Sequence, residues 1–404
     1  MATNTPSAPD FLPYGRQAID EDDIAAVAAV LRGDWLTTGP AVKGFEASLS
    51  AKIGNTHAIA VSSGTAALHI AALALDLGPG DTVIVPTITF VATANAALYA
   101  GADVVFSDVD PETGLMGVEQ LEEALERSKE KNVKAVFPVH LNGQSPDMES
   151  IFKLARSRGL FVVEDACHSL GGSYIKSDGA IVPIGSSEFS DISIFSFHPV
   201  KTIAMGEGGA LTCRDGRLAD RIRRLRNHGL EHRGEHFRDP DGVNKPWFYE
   251  LHELGYNYRA SDIHCALGAS QLKKLDGFVA RRRMIADDYD QVLSERTGKI
   301  RPLGRNNKCL PAWHLYAVSI DFGSIEGGRG FIMKALREKG IGTQVHYIPV
   351  HTQPFYTDMY GSQELPGANL YYDRCLSLPL YIGLEGSGVE RVVETLNSVL
   401  DSRS

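Results

Sequence analysis

The sequence predicts an α/β protein: a three-layer α/β/α large domain on a mainly parallel sheet of seven strands, followed by a small C-terminal α+β domain. Three observations carry this. Between Ala58 and Cys213, seven short apolar, β-rich runs alternate with stretches of helical periodicity, as strands covered by helices on both faces do. The chain's 404 residues are more than one small core needs and enough for two domains. Past Ala260 the alternation gives way to long helical runs and a few further strand-like segments.

In order, the expected strands are Ala58 to Val61, Thr82 to Val85, Asp103 to Ser107, Ala135 to Val139, Phe161 to Glu164, Ile192 to Phe195 and Ala210 to Cys213. Between them TAALHIAALALDLG, VATANAALYAG, GVEQLEEALERSKE and MESIFKLARSRG repeat apolar residues every three or four positions and close on Gly, Lys or Arg, as helices do. The polar run EHRGEHFRDPDGVNKP then predicts a long surface loop or lid. SDIHCALGASQLKKLDGFVARRRMIADDYDQVL predicts one or two long helices leaving the large domain. HLYAVSID, FIMKALREKG and VERVVETLNSVL supply strands and helices of the small one. The expected division is 1–260 and 261–404. The first eight or so residues and the last few carry no pattern.

A formal net charge of -10 argues against general affinity for nucleic acid or anionic membrane. RDGRLADRIRRLRNHG is locally basic, but Leu218, Ile222 and Leu225 fall at helical spacing among its arginines, which predicts an amphipathic helix with a solvated basic face. Five scattered cysteines without a CxxC pair suggest reduced thiols of a cytoplasmic protein and no metal site. The N-terminus lacks a basic stretch followed by an apolar one, and no 18-residue apolar span follows. Neither secretion nor a membrane-spanning helix is expected.

Four motifs carry chemistry. In VSSGTAALHIAAL, Ser63-Gly64-Thr65 turns the chain from a strand into a helix, where backbone amides and two hydroxyls can cradle a phosphate; ordinary N-capping is the plainer alternative. In PTITFVATANA, Phe90 follows a strand end, where an aromatic can stack on a flat heterocycle or simply fill the core. In FVVEDACHSLGG, Asp165 ends an apolar strand, an expensive place for a carboxylate unless it is partnered. It can bond a pyridinium nitrogen, with His168 three residues on facing the same ring. In SFHPVKTIAMGEGG, Lys201 can form an imine and then move a proton. Ser196 is placed to offer a hydroxyl to a phosphate, and Gly206, Gly208 and Gly209 permit close backbone approach. GEGG is not a dinucleotide-binding signature. Lysine, acid and phosphate turn are what pyridoxal 5'-phosphate chemistry needs.

With all four motifs in this order, together with WLTTGPAVKGFE, LRNHG and LGYNYRASDIHCALGASQLKKLD, the chain resembles the DegT/StrS type of sugar-nucleotide aminotransferase over nearly its whole length. The resemblance implies fold-type-I pyridoxal 5'-phosphate enzymes. It implies Lys201 as the cofactor lysine, Asp165 on the pyridine nitrogen, His168 and Phe90 at the ring, and Ser63, Gly64, Thr65 and Ser196 on the phosphate. It also implies that Asn257 reaches the phosphate from the other subunit of a homodimer, although locally GYNYR is only a turn with two aromatics. FLPYGRQAIDEDDI, SFHPVKTIAMGEGG and GIGTQVHYIPVH most resemble the transaminases of pseudaminic acid biosynthesis. Those act on UDP-4-keto-6-deoxy-N-acetyl-β-L-altrosamine with L-glutamate as donor. That match implies Tyr14, Trp35, Leu36, Thr37, His346 and Tyr347 at the sugar-nucleotide site. The stretch around Glu231 to Pro246 is longer than such relatives carry.

Two other readings compete. A dehydratase of the same type would carry histidine at position 201, which is lysine here. A regulator on this fold without turnover would not need Lys201, Asp165 and the phosphate turn together.

Overall fold

The computed structural model describes residues 11–54, 56–295 and 298–402; the unpatterned N-terminal stretch falls outside them. The large sheet contains β1 (His57–Val61), β2 (Thr82–Pro86), β3 (Asp103–Ser107), β4 (Val133–Val136), β5 (Phe161–Asp165), β6 (Ile192–Ser196) and β7 (Gly209–Cys213). Their spatial order is β1-β7-β6-β5-β4-β2-β3. The pairs β2/β3, β2/β4, β4/β5 and β5/β6 are parallel, whereas β7 runs antiparallel to both β1 and β6.

Both faces of the sheet are covered, and alternation along the strands shows it. Ile59 and Val61 of β1 join one apolar cluster with the helices Gly64–Ala74 and Val91–Tyr99, while Ala58 and Ala60 join another with Leu121, Ile151 and Phe45. A period of two puts successive side chains on opposite faces, and strands buried on both faces become continuous apolar runs. That is why they were legible. The helices start where a side chain satisfies their first free amides: Asp147 accepts from Ser150 N, Asp215 from Arg217 N and Leu218 N, and Ser261 from His264 N.

The expected fourth strand ends earlier than its apolar run. The regular ladder ends at Val136; beyond it Phe137 N still donates to Ile84 O, and past Pro138, which has no N–H to offer, Val139 forms only an isolated parallel bridge to Asp165.

A smaller antiparallel sheet, β8 (Ile300–Pro302), β9 (Tyr316–Ile320) and β10 (Cys375–Leu378), has the order β8-β9-β10. It shares a third apolar cluster with the helices Gly328–Glu338 and Gly386–Asp401. The helical run after Ala260 is two helices, Asp262–Lys273 and Leu275–Ser294. Cys265, Leu272, Leu275 and Val279 pack with the large sheet, whereas Ile285, Tyr289 and Leu293 pack with the small one.

The stretch expected as a long loop is folded. Leu230–Glu231 pairs with Glu250–Leu251, and two short 3₁₀ turns lie between them. Buried Glu231 gathers Arg224, Arg233 and His236 around it. A charge-rich sequence reads as loop until those partners are seen to converge.

Candidate active site

Asp165 and Ser196 close β5 and β6, two adjacent parallel strands, and Lys201 follows in the loop leading to β7. All three therefore meet at the carboxyl edge of the sheet, where ligands of open α/β folds bind. They line a cavity of about 450 Å³ together with Tyr14, Ser63, Gly64, Thr65, Phe90, His168, His346 and Tyr347.

Each polar group there is held by its surroundings. Asp165, 6% exposed, accepts from Thr93 Oγ1 at 2.7 Å on one oxygen and from the Cys167 amide at 3.2 Å on the other. Thr93 comes from the helix after Phe90, in FVAT; only the fold brings it to the carboxylate. Burial lowers the Lys201 pKa from its ordinary value, against the opposing influence of Cys167 and Asp165. Burial thus eases the loss of its proton, which a nucleophilic amine and base requires.

Ser63 caps the helix Gly64–Ala74 by accepting from Ala66 N at 3.1 Å. The amides of Gly64 and Thr65 precede the first intrahelical bond, so they are free to bind an anion at the cavity wall. The turn is tight as well. A Cβ on Gly64 would sit 3.0 Å from Ser196 Cβ, and one on Gly209 would sit 2.4 Å from the Ser63 carbonyl oxygen. Gly209 of the GEGG run thus packs against the phosphate turn itself.

Around the mouth, Phe90 is 57% exposed and lies 6.1 Å from the Tyr347 ring, available to a flat ligand rather than buried in the core. His168 Nε2 hydrogen-bonds Tyr347 Oη at 3.2 Å, and His346 Nδ1 bonds Ser377 Oγ at 2.9 Å. Burial first, then Lys201, keeps the His346 imidazole uncharged, with its pKa pushed down to about 3. His168 is likewise driven well below its usual range by burial, then by Lys201. His198 is exposed at the rim.

Four named residues do not line this chain's cavity. Trp35, Leu36 and Thr37 lie on an exposed loop that bonds the start of the helix Asp262–Lys273 through Leu36 O, which accepts from Asp262 N at 3.0 Å. Asn257 is exposed and bridged to Asn227. Conversely, Thr93, Cys167, Glu207 and His314 belong to the site or its support and carried no sequence signal beyond their neighbours' motifs.

The arginine run forms the helix Gly216–Arg226, with Ile222 and Leu225 buried. Arg221 pairs with Asp76 and Glu253, Arg224 with Glu231 and Glu253, and Arg226 with Glu46. Most of its arginines thus pair with the protein's own carboxylates.

The residues fit pyridoxal phosphate: a buried lysine, a carboxylate braced on both oxygens, a helix start with free amides, and a buried His168 Nδ1 without a partner. Sheet order, edge and cavity are those of a fold-type-I pyridoxal phosphate enzyme. The chain belongs to the DegT/DnrJ/EryC1/StrS aminotransferase family, whose model matches residues 17–397; it is a pyridoxal phosphate-dependent sugar aminotransferase. It is 39% identical over 393 residues to the spore coat polysaccharide biosynthesis protein SpsC of Bacillus subtilis (strain 168), covering 96% of this chain and 97% of that one. Helicobacter pylori PseC, an aminotransferase involved in the biosynthesis of pseudoaminic acid, superposes with a TM-score of 0.86 at 28% identity, over 97% of this chain and 100% of that one. The PLP form of the Streptococcus pneumoniae putative sugar aminotransferase Spr1654 gives 0.85 at 28% identity, over 97% and 99%.

Proposed function

We propose that the chain transfers the amino group of L-glutamate to a nucleotide-linked keto-deoxy sugar, with UDP-4-keto-6-deoxy-N-acetyl-β-L-altrosamine as acceptor and C4 as the carbon aminated, in the cytoplasm. The observation that carries the reading is the meeting of Lys201, Asp165 and the Ser63–Thr65 turn in one cavity. Bound there, pyridoxal phosphate supplies an exchangeable carbonyl and an electron sink.

The chain's own residues do the rest. Lys201 Nζ would hold the cofactor and, as a buried amine, would carry a proton to and from the reacting carbon. Asp165 would hold the ring nitrogen, its oxygens aimed by Thr93 and Cys167 N. Ser63, Gly64, Thr65 and Ser196 would hold the phosphate, and Phe90 and His168, the latter tied to Tyr347, would flank the ring. Tyr14, His346 and Tyr347 wall the sugar side.

Asn257, Trp35, Leu36 and Thr37 serve a partner's cavity in a homodimer. Their exposure and their absence from this chain's own cavity support that assignment. Similarity to PseC supports the acceptor; similarity to SpsC supports the broader alternative of another UDP-, dTDP- or GDP-linked keto sugar for a surface polysaccharide.

A panel of such keto sugars with ¹⁵N-glutamate decides between them. Label in a 4-amino product of the UDP-altrosamine derivative supports the acceptor named. Turnover confined to other sugars overturns that choice and leaves the aminotransferase intact.

A further inference from the structure

None of the roles above uses His314, which lines the cavity and is 4% exposed. Its ring centroid lies 4.3 Å from that of His168, the planes at 51°. Nδ1 of each ring is buried without a hydrogen-bond partner. A buried polar atom left unpaired is costly unless something bound supplies the partner, and both rings border the space a ligand fills.

The segment carrying His314 is gripped from two sides. On the large-sheet side, Asn142 O accepts from His314 N at 2.9 Å and Gly143 O from Ala312 N at 3.0 Å. Gly143 has φ 101° and approaches so closely that a Cβ would lie 2.1 Å from Ala312 O. On the other side stands Arg282 of the helix Leu275–Ser294, 2% exposed. Its Nη1 donates to the carbonyls of Trp313 at 3.3 Å, His314 at 3.2 Å and Leu380 at 3.3 Å. Leu380 N in turn donates to Tyr14 O at 3.0 Å, so the same guanidinium steadies two walls of the cavity.

Among the described residues Arg282 makes no ion pair with a carboxylate. A buried cation without a counter-ion is expensive, and hydrocarbon would fill the space at less cost. The groups bearing on His314 are Lys201, His168, Arg282 and His346, all of which, after burial, disfavour its protonation.

We propose that His314 is a ligand-facing residue of the active site, offering a ring nitrogen beside His168 to a carboxylate or hydroxyl of donor or sugar, and that Arg282 is the positioning residue that holds it there. This rests on the cofactor cavity proposed above.

A double-mutant cycle on the holoenzyme tests it. His314→Phe keeps a planar ring at the position and loses the nitrogens. It is expected to retain bound cofactor and thermal stability while kcat/KM for the keto sugar falls about tenfold, the scale of one hydrogen bond. Arg282→Met should fall similarly, Arg282→Lys should recover part of the loss, and the double variant should lie within about twofold of His314→Phe alone. In cofactor-free protein with labelled histidine, the His314 ring nitrogens should titrate at higher pH in Arg282→Met than in the parent.

Wild-type kcat/KM in cofactor-loaded His314→Phe, or losses that multiply in the double variant, overturns the proposal. If Arg282→Met does not fold, the His314→Phe arm decides alone. A parent protein that takes up no pyridoxal phosphate would instead remove the cavity reading itself.

Discussion

Asp165 shows how much of the site is set before any ligand arrives. Both its oxygens are already engaged, by Thr93 Oγ1 and Cys167 N, so its direction is fixed by the helix after Phe90 and by its own turn. Thr93→Val should therefore loosen the cofactor through Asp165, raising its dissociation constant by about fivefold for one lost hydrogen bond. Equilibrium dialysis of the holoenzyme checks this; an unchanged constant would mean that the turn alone orients the carboxylate. Lys201, Asp165, His168 and the Ser63–Thr65 turn were legible because each sits in a local motif. Thr93 and His314 were not, since the contacts that give them meaning join segments far apart in sequence.

Among the elements, the antiparallel β7 matters most to the site, because it brings Gly209 against the Ser63 carbonyl. Gly209→Ala has no room for its methyl group and must push the phosphate turn aside. We expect a loss of about 1–3 kcal/mol in stability together with weaker cofactor binding, read by thermal denaturation and by cofactor titration; stability and affinity both at wild-type values would contradict the packing described. The strands were legible from apolar runs, with one end differing where Pro138 breaks the regular ladder and leaves Val139 in an isolated bridge to Asp165. The folding of the 231–246 stretch was not legible, because its order comes from ion pairs on Glu231 and the edge contact of Phe237 with Phe248 rather than from a periodic apolar pattern.

For the whole molecule, burying imidazoles uncharged has a pH consequence. His346, with an ordinary value of 6.5 and a folded value of about 3, binds fewer protons folded than unfolded between those limits. Its contribution to stability is therefore present above pH 6.5 and is lost as pH falls toward 3. His168 and His314 are shifted in the same direction. The melting temperature of the cofactor-free protein should fall through this range, and His346→Asn should reduce that dependence; an unaltered slope would show that other groups dominate. Assembly is tested by complementation. If Asn257 serves a partner's cavity, mixed dimers of Lys201→Ala and Asn257→Ala chains regain one intact site and activity returns on mixing, whereas action within one chain leaves the mixture as inactive as its parts. The α/β architecture was legible because it follows from periodicity. The hand-over of packing between Val279 and Ile285, inside one helix, was not, because it leaves no break in the pattern.

The most direct measurement is the transfer of ¹⁵N from glutamate to the keto sugar by the parent and by Lys201→Ala, with the folded state of each verified. The account predicts label in the amino sugar with the parent and none with Lys201→Ala. Sustained transfer by Lys201→Ala would contradict it.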